Sequence, residues 1–532
     1  MVFNIESDVL VIGAGGAGLR AAIEAEAHGS SVSVVSKAPA GMNNATALSS
    51  GGFHAVLGNL TEKEYIRDAI ELGKGINDRT LVEILAREGG ERLLELKRFG
   101  VVVHERSGGA LVVGPSTMRG LGLTKPLVNY SRSRGIKFIE NIIVTRFLMD
   151  EGCVKGAVGY DLNNDQPITF SAKAVVLATG GAGALYKRTD CPIRTTGDGY
   201  SLAYGAGAKL RDMEFIQFFP LALAEPGISQ IILEGPIVEE GSIVNSLGED
   251  IPQKYSIYAR PLAQRSRDIL SRAIMTEILE GRGVENTVLL KAMEVFNRLN
   301  EESWYISSSY KFFRDKLNAG KSPIRVAPVC HFFMGGVVVD EYGFTGVPGL
   351  YAAGEVVGGI HGANRRGGNA LTDIIVFGAR TGASAAKYAQ SQVLVPFEPR
   401  EVAELDHYKI YRARKACARV KPYEIMSKLR EIMWLKAGII RNGYALKEAL
   451  SDLNKLSKTS SGLYANSAKM MLEALEVPMA LNVAIMVIKA ALKRTESRGS
   501  HYRIDYPKED DRWLKNIVIQ HSTNGKMLLT TS

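Results

Sequence analysis

A glycine motif near the N-terminus could bind the pyrophosphate of a dinucleotide. Gly13, Gly15 and Gly18 lie between residues 8–12, an apolar run typical of a buried parallel strand, and residues 19–27, which predict a helix. The first glycine permits a tight turn, the second lets the backbone approach the phosphates, and the third lets helix and strand pack closely. The helix N-terminus adds free N–H groups and a partial positive charge. The motif in this context predicts dinucleotide binding.

The residues after the second predicted strand narrow the choice of dinucleotide. That strand covers residues 31–35, and Ser36 and Lys37 follow it in place of the acidic residue that binds the ribose in NAD enzymes. A generic NAD enzyme is therefore disfavoured. Three later turns could each approach a long cofactor, at residues 178–181, 196–199 and 353–355. This pattern suits a flavin enzyme with additional cofactor contacts.

Composition excludes several classes of protein. Hydrophobic residues make up 46% and charged residues 23% of the 532-residue chain, the balance of a globular protein and not of a disordered or fibrous one. The net charge of +9 permits anionic ligands without requiring nucleic acid. The four cysteines are too far apart to form a metal or iron–sulfur motif: Cys153, Cys191, Cys330 and Cys417.

Localisation and surface charge give two weaker expectations. The sequence shows no signal peptide and no apolar run of about 18 residues, so we expect a soluble cytoplasmic protein without a transmembrane segment. A basic stretch over residues 409–421 predicts a solvated helix face, or alternatively a docking surface for an acidic partner.

The order of predicted elements indicates an α/β fold with an insertion. The first 220 residues contain strands that lead into glycine turns, and residues 221–325 lack this pattern. It returns with the glycine-rich strand and turn at residues 349–355. We therefore predict a discontinuous nucleotide-binding domain over residues 1–220 and 326–394, interrupted by a capping domain over residues 221–325. Residues 395–532 predict a helical domain with an irregular tail.

Ordered motifs across nearly the whole chain resemble the flavoprotein subunit family of succinate dehydrogenase and fumarate reductase, which also includes L-aspartate oxidase. Besides the glycine turns, the resemblance is carried by residues 212–220, 266–274, 328–336, 361–370, 433–434, 438–441 and 496–505. It implies a Rossmann-like FAD-binding domain, an inserted α+β capping domain and a C-terminal helical domain. It also implies an FAD-dependent oxidoreductase that transfers hydride between flavin N5 and a carbon–carbon bond next to a carboxylate.

The resemblance assigns the FAD contacts to the glycine turns and the segments around them. The implied FAD-contacting residues are Gly13, Ala14, Gly15, Gly16, Ala17, Gly18, Ser36, Lys37, Thr46, Gly51, Gly52, Ala178, Thr179, Gly180, Asp198, Glu355, Ala370 and Leu371. Covalent members of the family have a histidine before the Thr-x-x-x-x-Gly-Gly motif, whereas Ala45 precedes Thr46 here and His54 lies beyond the glycines. We therefore predict non-covalent FAD.

The same resemblance implies four residues for the chemistry. Arg267 matches the family's catalytic arginine, and Glu234 matches the acidic residue that relays protons to it. An arginine with a free pKa above about 12 can act as an acid only if a relay replaces its proton at once. His331 and Arg365 match the clamp on one substrate carboxylate, which a planar guanidinium can grip with two parallel hydrogen bonds.

The other half of the implied substrate site departs from the family. Phe219 and Leu233 stand where the family has the histidine and threonine that bind the second carboxylate, and Ile237 replaces a relay arginine. Loss of two charged hydrogen bonds would cost a buried carboxylate roughly 3–6 kcal/mol. We therefore expect Phe219 and Leu233 to contact substrate as an apolar wall, which disfavours fumarate and succinate and predicts an α,β-unsaturated acid with one carboxylate and an apolar far end. Fumarate or succinate stays the alternative that the resemblance implies.

Two other functions stay open at this point. An amino-acid oxidase of the L-aspartate oxidase type would share most of the motifs, and a non-catalytic FAD-binding subunit would fit the three apolar replacements. Because the chain has no cluster-binding motif of its own, electrons must come from a partner, a soluble carrier or dioxygen. We expect an iron–sulfur or other electron-transfer subunit, through which the chain could lie on the cytoplasmic face of a membrane.

Overall fold

The computed structural model describes residues 3–115, 118–298, 315–395, 420–522 and 524–532. Most of the basic stretch at 409–421 lies outside the described residues, as does Cys417.

A mixed sheet forms the centre of the first half of the chain. Its strand order is β6-β2-β1-β9-β8-β7, with β16 also paired to β9. The strands of this half are β1 (Phe3–Ile12), β2 (Val32–Ser36), β3 (Gly52–His54), β4 (Val103–Arg106), β5 (Gly109–Val112), β6 (Lys137–Glu140), β7 (Ile142–Asp150), β8 (Cys153–Asp161) and β9 (Gln166–Leu177), and β16 is Leu350–Ala352. Val9, Leu10 and Val11 are fully buried, as expected for a strand covered on both faces.

Helices cover this sheet. They are α1 (Gly16–Ala27), α2 (Ala45–Leu48), α3 (Glu62–Leu72), α4 (Arg79–Glu95), α5 (Leu121–Ser133) and α6 (Asp198–Gly205), with 3₁₀ turns at Leu96–Phe99, Gly183–Leu185 and Gly354–Val356. A long helix from the later part of the chain, Asn369–Gln390, packs against α1 and α4. The β3, β4 and β5 strands form a separate small sheet.

The carboxyl ends of four parallel strands meet at one edge of the main sheet. Ile12 at the end of β1 is in register with Val35 of β2 and with Leu177 of β9, and Leu177 is in register with Ala352 of β16. The glycine turn after β1, Lys37 after β2 and the turns after β9 and β16 therefore converge at this edge, where open α/β sheets bind ligands.

The inserted segment forms an antiparallel sheet with its own apolar core. The strand order is β11-β14-β13-β12. The elements are β11 (Ile216–Leu223), α7 (Pro236–Glu239), β12 (Ser242–Val244), α8 (Ile251–Lys254), α9 (Leu262–Arg265), α10 (Arg267–Leu279), β13 (Val288–Lys291), α11 (Met293–Arg298) and β14 (Ile324–Phe333). We call this unit the cap.

The predicted domain boundaries at 220 and 326 fall inside β11 and β14, which pair with each other. Successive side chains of a strand point to opposite faces. Phe218 accordingly packs into the core of the FAD-binding domain, whereas Phe219 packs into the core of the cap. The two strands therefore join the two cores, and the exact boundary stays a prediction.

In the described residues from 420 onward, three long helices pack on each other. After the Asn369–Gln390 helix, which we number α12, they are α13 (Pro422–Lys436), α14 (Gly443–Thr459) and α15 (Ala468–Lys493), with 3₁₀ turns at Ser460–Gly462 and Asp511–Trp513. Contrary to our expectation of no apolar run, α15 is long and apolar enough to cross a membrane by length and composition. However, 72% of its most apolar window is buried in the chain and it packs against α6, as a core helix does.

The tail is not irregular as predicted. Strands β17 (Ile517–His521) and β18 (Met527–Thr531) form a hairpin, which extends a sheet of β10 (Leu210–Arg211) and β15 (Gly336–Val337). Ile517 and Ile519 alternate with less buried residues and are fully buried. These short strands depend on β10, a partner strand far away in the sequence, so local pattern does not reveal them.

Candidate active site

A cavity of about 1480 Å³ lies where the carboxyl edge of the main sheet faces the cap. Its lining contains every residue that the sequence assigned to FAD except Gly18. Arg267, Glu234, His331 and Arg365 also line it. The predicted cofactor contacts and the predicted catalytic residues therefore share one continuous cavity.

The glycine turn after β1 is shaped by close backbone packing. Gly13 has φ +112°, and a Cβ at this position would collide with the carbonyl oxygen of Ala178 at the end of β9. Gly18 does not line the cavity, because it lies against the carbonyl of Gly13, where a Cβ would also collide. Its role is to let α1 approach the turn.

The start of α1 fits an anionic group of a cofactor. Its N-cap is Gly15, which provides no side-chain cap, and no acidic residue lies in the first turn. The N–H of Gly16 donates to Thr46 Oγ1 at 3.2 Å, so α2 is held against the same turn. Thr179 Oγ1 is buried without a hydrogen-bond partner in the described chain, at the cavity wall. These open polar groups fit a pyrophosphate-containing cofactor.

Lys37 is the centre of a buried ion cluster that the sequence did not reveal. Its Nζ lies 2.8 Å from Asp198 and 3.0 Å from Glu476 of α15, and it donates to the carbonyl of Arg194 at 2.7 Å. Burial opposes its charge, but the two carboxylates prevail and raise the pKa of Lys37. Glu476 lies 439 residues away in the sequence, so no local pattern could have indicated it.

Glu355 is buried beside the turn after β16. Its Oε1 accepts a hydrogen bond from the N–H of Phe333 at 3.0 Å. Burial raises the pKa of Glu355 to about 7. A Cβ at Gly181 would collide with this carboxylate, so the glycine turn after β9 makes room for it.

Arg267 begins α10 and is held in place from several sides. Its Nε donates to the Ala263 carbonyl at 2.5 Å, and Nη1 donates to Gln217 Oε1 at 3.1 Å. Glu234 Oε1 lies 3.6 Å from Nη2. The guanidinium also lies 4.9 Å from the centre of the Phe219 ring. Burial lowers the pKa of Arg267, and the Glu234 charge opposes that shift.

His331 and Arg365 supply the other charged part of the wall. His331 Nδ1 lies 2.7 Å from Asp190 Oδ2, which orients the ring and leaves Nε2 for a ligand. Arg365 Nη1 donates to the Arg366 carbonyl at 3.1 Å, while its Nε has no partner in the described chain. Burial and the nearby Arg267 charge lower the pKa of Arg365 to about 9. Asp190 was missed, because a lone loop aspartate carries no motif.

Phe219 and Leu233 do not line the cavity, contrary to our expectation. Both are buried in the apolar core of the cap, together with Ile237. The segment around Ile232 pairs antiparallel with Ala222 of β11. Because neighbouring side chains of an extended segment point to opposite sides, Leu233 enters the core while Ile232 and Glu234 line the cavity. Phe219 acts from behind the wall, against Arg267 and, at 5.5 Å between rings, His331.

His54 belongs to a polar group that the sequence did not assign. Its Nδ1 lies 2.8 Å from Asn369 Oδ1 at the start of α12, and its ring stacks on Tyr65 with centroids 4.5 Å apart. Burial and the Arg366 charge lower the pKa of His54 to about 4, so the ring is neutral. Arg366 itself pairs with Asp68.

In the part of the chain that the structure describes, no group of three or more His, Cys, Asp or Glu side chains could hold a metal ion.

Comparisons with known proteins agree with this arrangement. Residues 8–371 match the FAD binding domain family, and residues 426–531 match the fumarate reductase flavoprotein C-terminal family. The chain is 36% identical to a subunit of the fumarate reductase (CoM/CoB) of Methanothermobacter marburgensis over 98% of both chains. It is 30% identical to the succinate dehydrogenase flavoprotein subunit of Rickettsia conorii, over 99% of this chain and 95% of that one.

Two solved structures give the same result. A variant of E. coli quinol fumarate reductase FrdA superposes with a TM-score of 0.89 at 26% identity, covering 100% of this chain and 97% of that chain. Mycobacterium smegmatis Sdh1 in complex with UQ1 gives a TM-score of 0.85 at 30% identity, with 100% and 94% covered.

Proposed function

The chain belongs to the family of fumarate reductase and succinate dehydrogenase flavoprotein subunits, and on that basis we propose that it reduces fumarate to succinate. It is an FAD-dependent oxidoreductase that acts on carbon–carbon bonds next to a carboxylate. The observation in this chain that carries the proposal is that Arg267, Glu234, His331 and Arg365 all line the cavity that contains the predicted FAD contacts.

The bound FAD would supply the hydride. The protein's part is to hold the substrate and to provide the proton. Arg365 offers two parallel N–H donors to a carboxylate and has no carboxylate partner in the described chain. His331, oriented at Nδ1 by Asp190, adds a third donor through Nε2–H when its ring is protonated. Together they would fix one end of the substrate and polarise its double bond.

Arg267 is suited to give the proton at the other carbon. Burial lowers its pKa, which makes a guanidinium a stronger acid than it is in water. Glu234, 3.6 Å away, would return the proton from the solvent side. The bond from Arg267 Nε to the Ala263 carbonyl and the Phe219 ring keep the guanidinium at the wall.

We propose that FAD is bound without a covalent link to the protein. Ala45 has no side chain that could form the bond, and the nearby His54 has its Nδ1 committed to Asn369 and its ring stacked on Tyr65. Acid precipitation of the yellow protein should therefore leave all FAD in the supernatant. Colour retained in the protein pellet would contradict this.

We also propose an electron-transfer partner, with iron–sulfur clusters as the expected carrier. The relatives are named as subunits of a fumarate reductase and of a succinate dehydrogenase, and the described residues contain no site for a cluster. Such a partner would place the chain in the cytoplasm, or peripherally on the membrane's cytoplasmic face.

The direct test is kinetic. Purified FAD-loaded protein should oxidise reduced methyl viologen when fumarate is added, with kcat/KM at least about 100-fold above that for crotonate, because crotonate lacks one carboxylate. A preference for crotonate would instead support the monocarboxylate substrate. Oxygen-dependent hydrogen peroxide formation with L-aspartate would support an amino-acid oxidase and overturn the proposal.

A further inference from the structure

We propose that Arg265 binds the second carboxylate of the substrate, in place of the histidine and threonine that the chain lacks. This inference rests on the proposed function and adds the residue that makes the site selective for a dicarboxylate. The question arises because Phe219 and Leu233 are buried in the cap core and cannot touch a ligand.

The position of Arg265 suits this role. It ends α9, the short helix of the cap that packs against β11 and α7, the elements that carry Phe219 and Ile237. Ala263 of the same helix accepts the hydrogen bond from Arg267. Arg265 also lines the cavity. Arg265 is exposed, and it therefore places a cation on the cap side of the cavity, two residues before Arg267 in the chain.

Its charge is free to take an anion. Four other cations of the cavity wall already have carboxylate partners: Lys37 with Asp198, Arg194 with Glu476, Arg267 with Glu234, and Arg366 with Asp68. In the described part of the chain no carboxylate pairs with the side chain of Arg265. Arg67 and Arg106 also line the cavity, but they belong to α3 and β4 and not to the cap.

A second polar group lies in the same cap wall. Gln230 lines the cavity, and its Oε1 is buried without a hydrogen-bond partner in the described residues. A buried amide oxygen without a donor is unfavourable. The guanidinium of Arg265 offers five N–H groups to a carboxylate, and it makes no hydrogen bond to Gln230 in this structure. The amide N–H groups of Gln230 can add a further bond to the carboxylate.

The cap segment that carries Gln230 contributes three isoleucines and Ser229 to the cavity lining. Ile228, Ile231 and Ile232 line the cavity beside Gln230. They would cover the carbon chain of a short substrate and exclude water from it, which strengthens the charged contacts at both ends. Arg365 and His331 would then hold one carboxylate, and Arg265 the other.

The test compares Arg265→Met with Arg260→Met in FAD-loaded protein. Arg260 is a matched control because it is an exposed arginine of the cap, paired with Glu239, that does not line the cavity. Malonate binding to the oxidised protein is followed by flavin absorbance. Arg265→Met should weaken malonate binding and lower kcat/KM for fumarate, each about 100-fold, the effect of losing two charged hydrogen bonds. Arg260→Met should change both less than threefold.

Two further measurements make the result specific. Crotonate, measured as a competitive inhibitor, should bind Arg265→Met within threefold of wild type, because it has no second carboxylate. Arg265→Lys should recover about tenfold of the loss, since it restores the charge but not the planar fork. FAD absorbance and the thermal midpoint check that the variants are folded.

The outcomes separate the two proposals. If wild-type protein and the Arg265→Met variant reduce fumarate and bind malonate equally well, the proposed function stands and the role of Arg265 is overturned. An equal loss for crotonate would also overturn it, because the effect would then not depend on the second carboxylate. Wild-type protein that neither reduces fumarate nor binds malonate would overturn the proposed function.

Discussion

The two ends of the cavity are built in different ways. The cofactor end consists mainly of backbone turns at the ends of β1, β2, β9 and β16, which the parallel register brings to one edge. The substrate end consists of side chains from the cap and from β14 and the turn before α12, held by contacts between residues far apart in sequence. The cofactor end is thus fixed by the sheet, whereas the substrate end depends on individual side chains and can change specificity by single substitutions.

The largest effect should follow from Arg365→Met. This change removes the planar donor that would bind the first carboxylate, and we expect kcat/KM for fumarate to fall by about 10³-fold or more with FAD content unchanged. The neighbouring Arg366→Leu is the matched control, because Arg366 pairs with Asp68 and should alter kcat/KM less than threefold. Viologen-linked steady-state kinetics measure both. An equal fall in kcat/KM in the two variants would show that fumarate reduction depends on the local positive charge and not on the grip of Arg365 on the carboxylate.

The next effect tests the cofactor end. Gly13→Ala should reduce FAD affinity by about 100-fold, because a Cβ there collides with the Ala178 carbonyl and φ +112° is unfavourable for alanine. Gly205→Ala is the control, since nothing lies within 4 Å of a Cβ at that helical position and its φ is ordinary. The ratio of flavin to protein absorbance after gel filtration measures retention. Full retention in Gly13→Ala would show that the turn is adaptable.

This contrast also explains what could be predicted from sequence. The glycine turns, the residues after each strand and the inserted cap follow from local patterns, because a turn needs its glycine at a fixed position. Asp190 and Glu476 follow from no pattern, since their partners lie 141 and 439 residues away. The placement of Phe219 and Leu233 was wrong for another reason: their direction depends on strand register, and a shift of one residue reverses it.

Glu355 gives a smaller effect that depends on pH. Its pKa is raised from 4.5 to about 7 by burial, so the folded protein favours the protonated form. Protonation of Glu355 therefore contributes to the free energy of unfolding. This contribution is fully present below pH 4.5 and is lost as pH rises through 7, and the pKa shift makes it about 3 kcal/mol. We expect the thermal midpoint to decline from about pH 5 to about pH 8, and Glu355→Gln to flatten this decline. An unchanged slope in the variant would assign the decline to other groups.

The smallest effect tests the ion cluster that joins α15 to the cofactor end. Glu476→Gln removes one of two carboxylates from Lys37 and the nearer partner of Arg194. Asp198 still neutralises Lys37, so we expect a drop in thermal midpoint of about 2–5 °C and a change in FAD affinity below threefold. Glu473→Gln, one turn earlier and 3.8 Å from Arg194, should lower the midpoint less. A large loss of FAD in Glu476→Gln but not in Glu473→Gln would contradict the comparison. The cofactor end would then depend on a distant side chain, as the substrate end does.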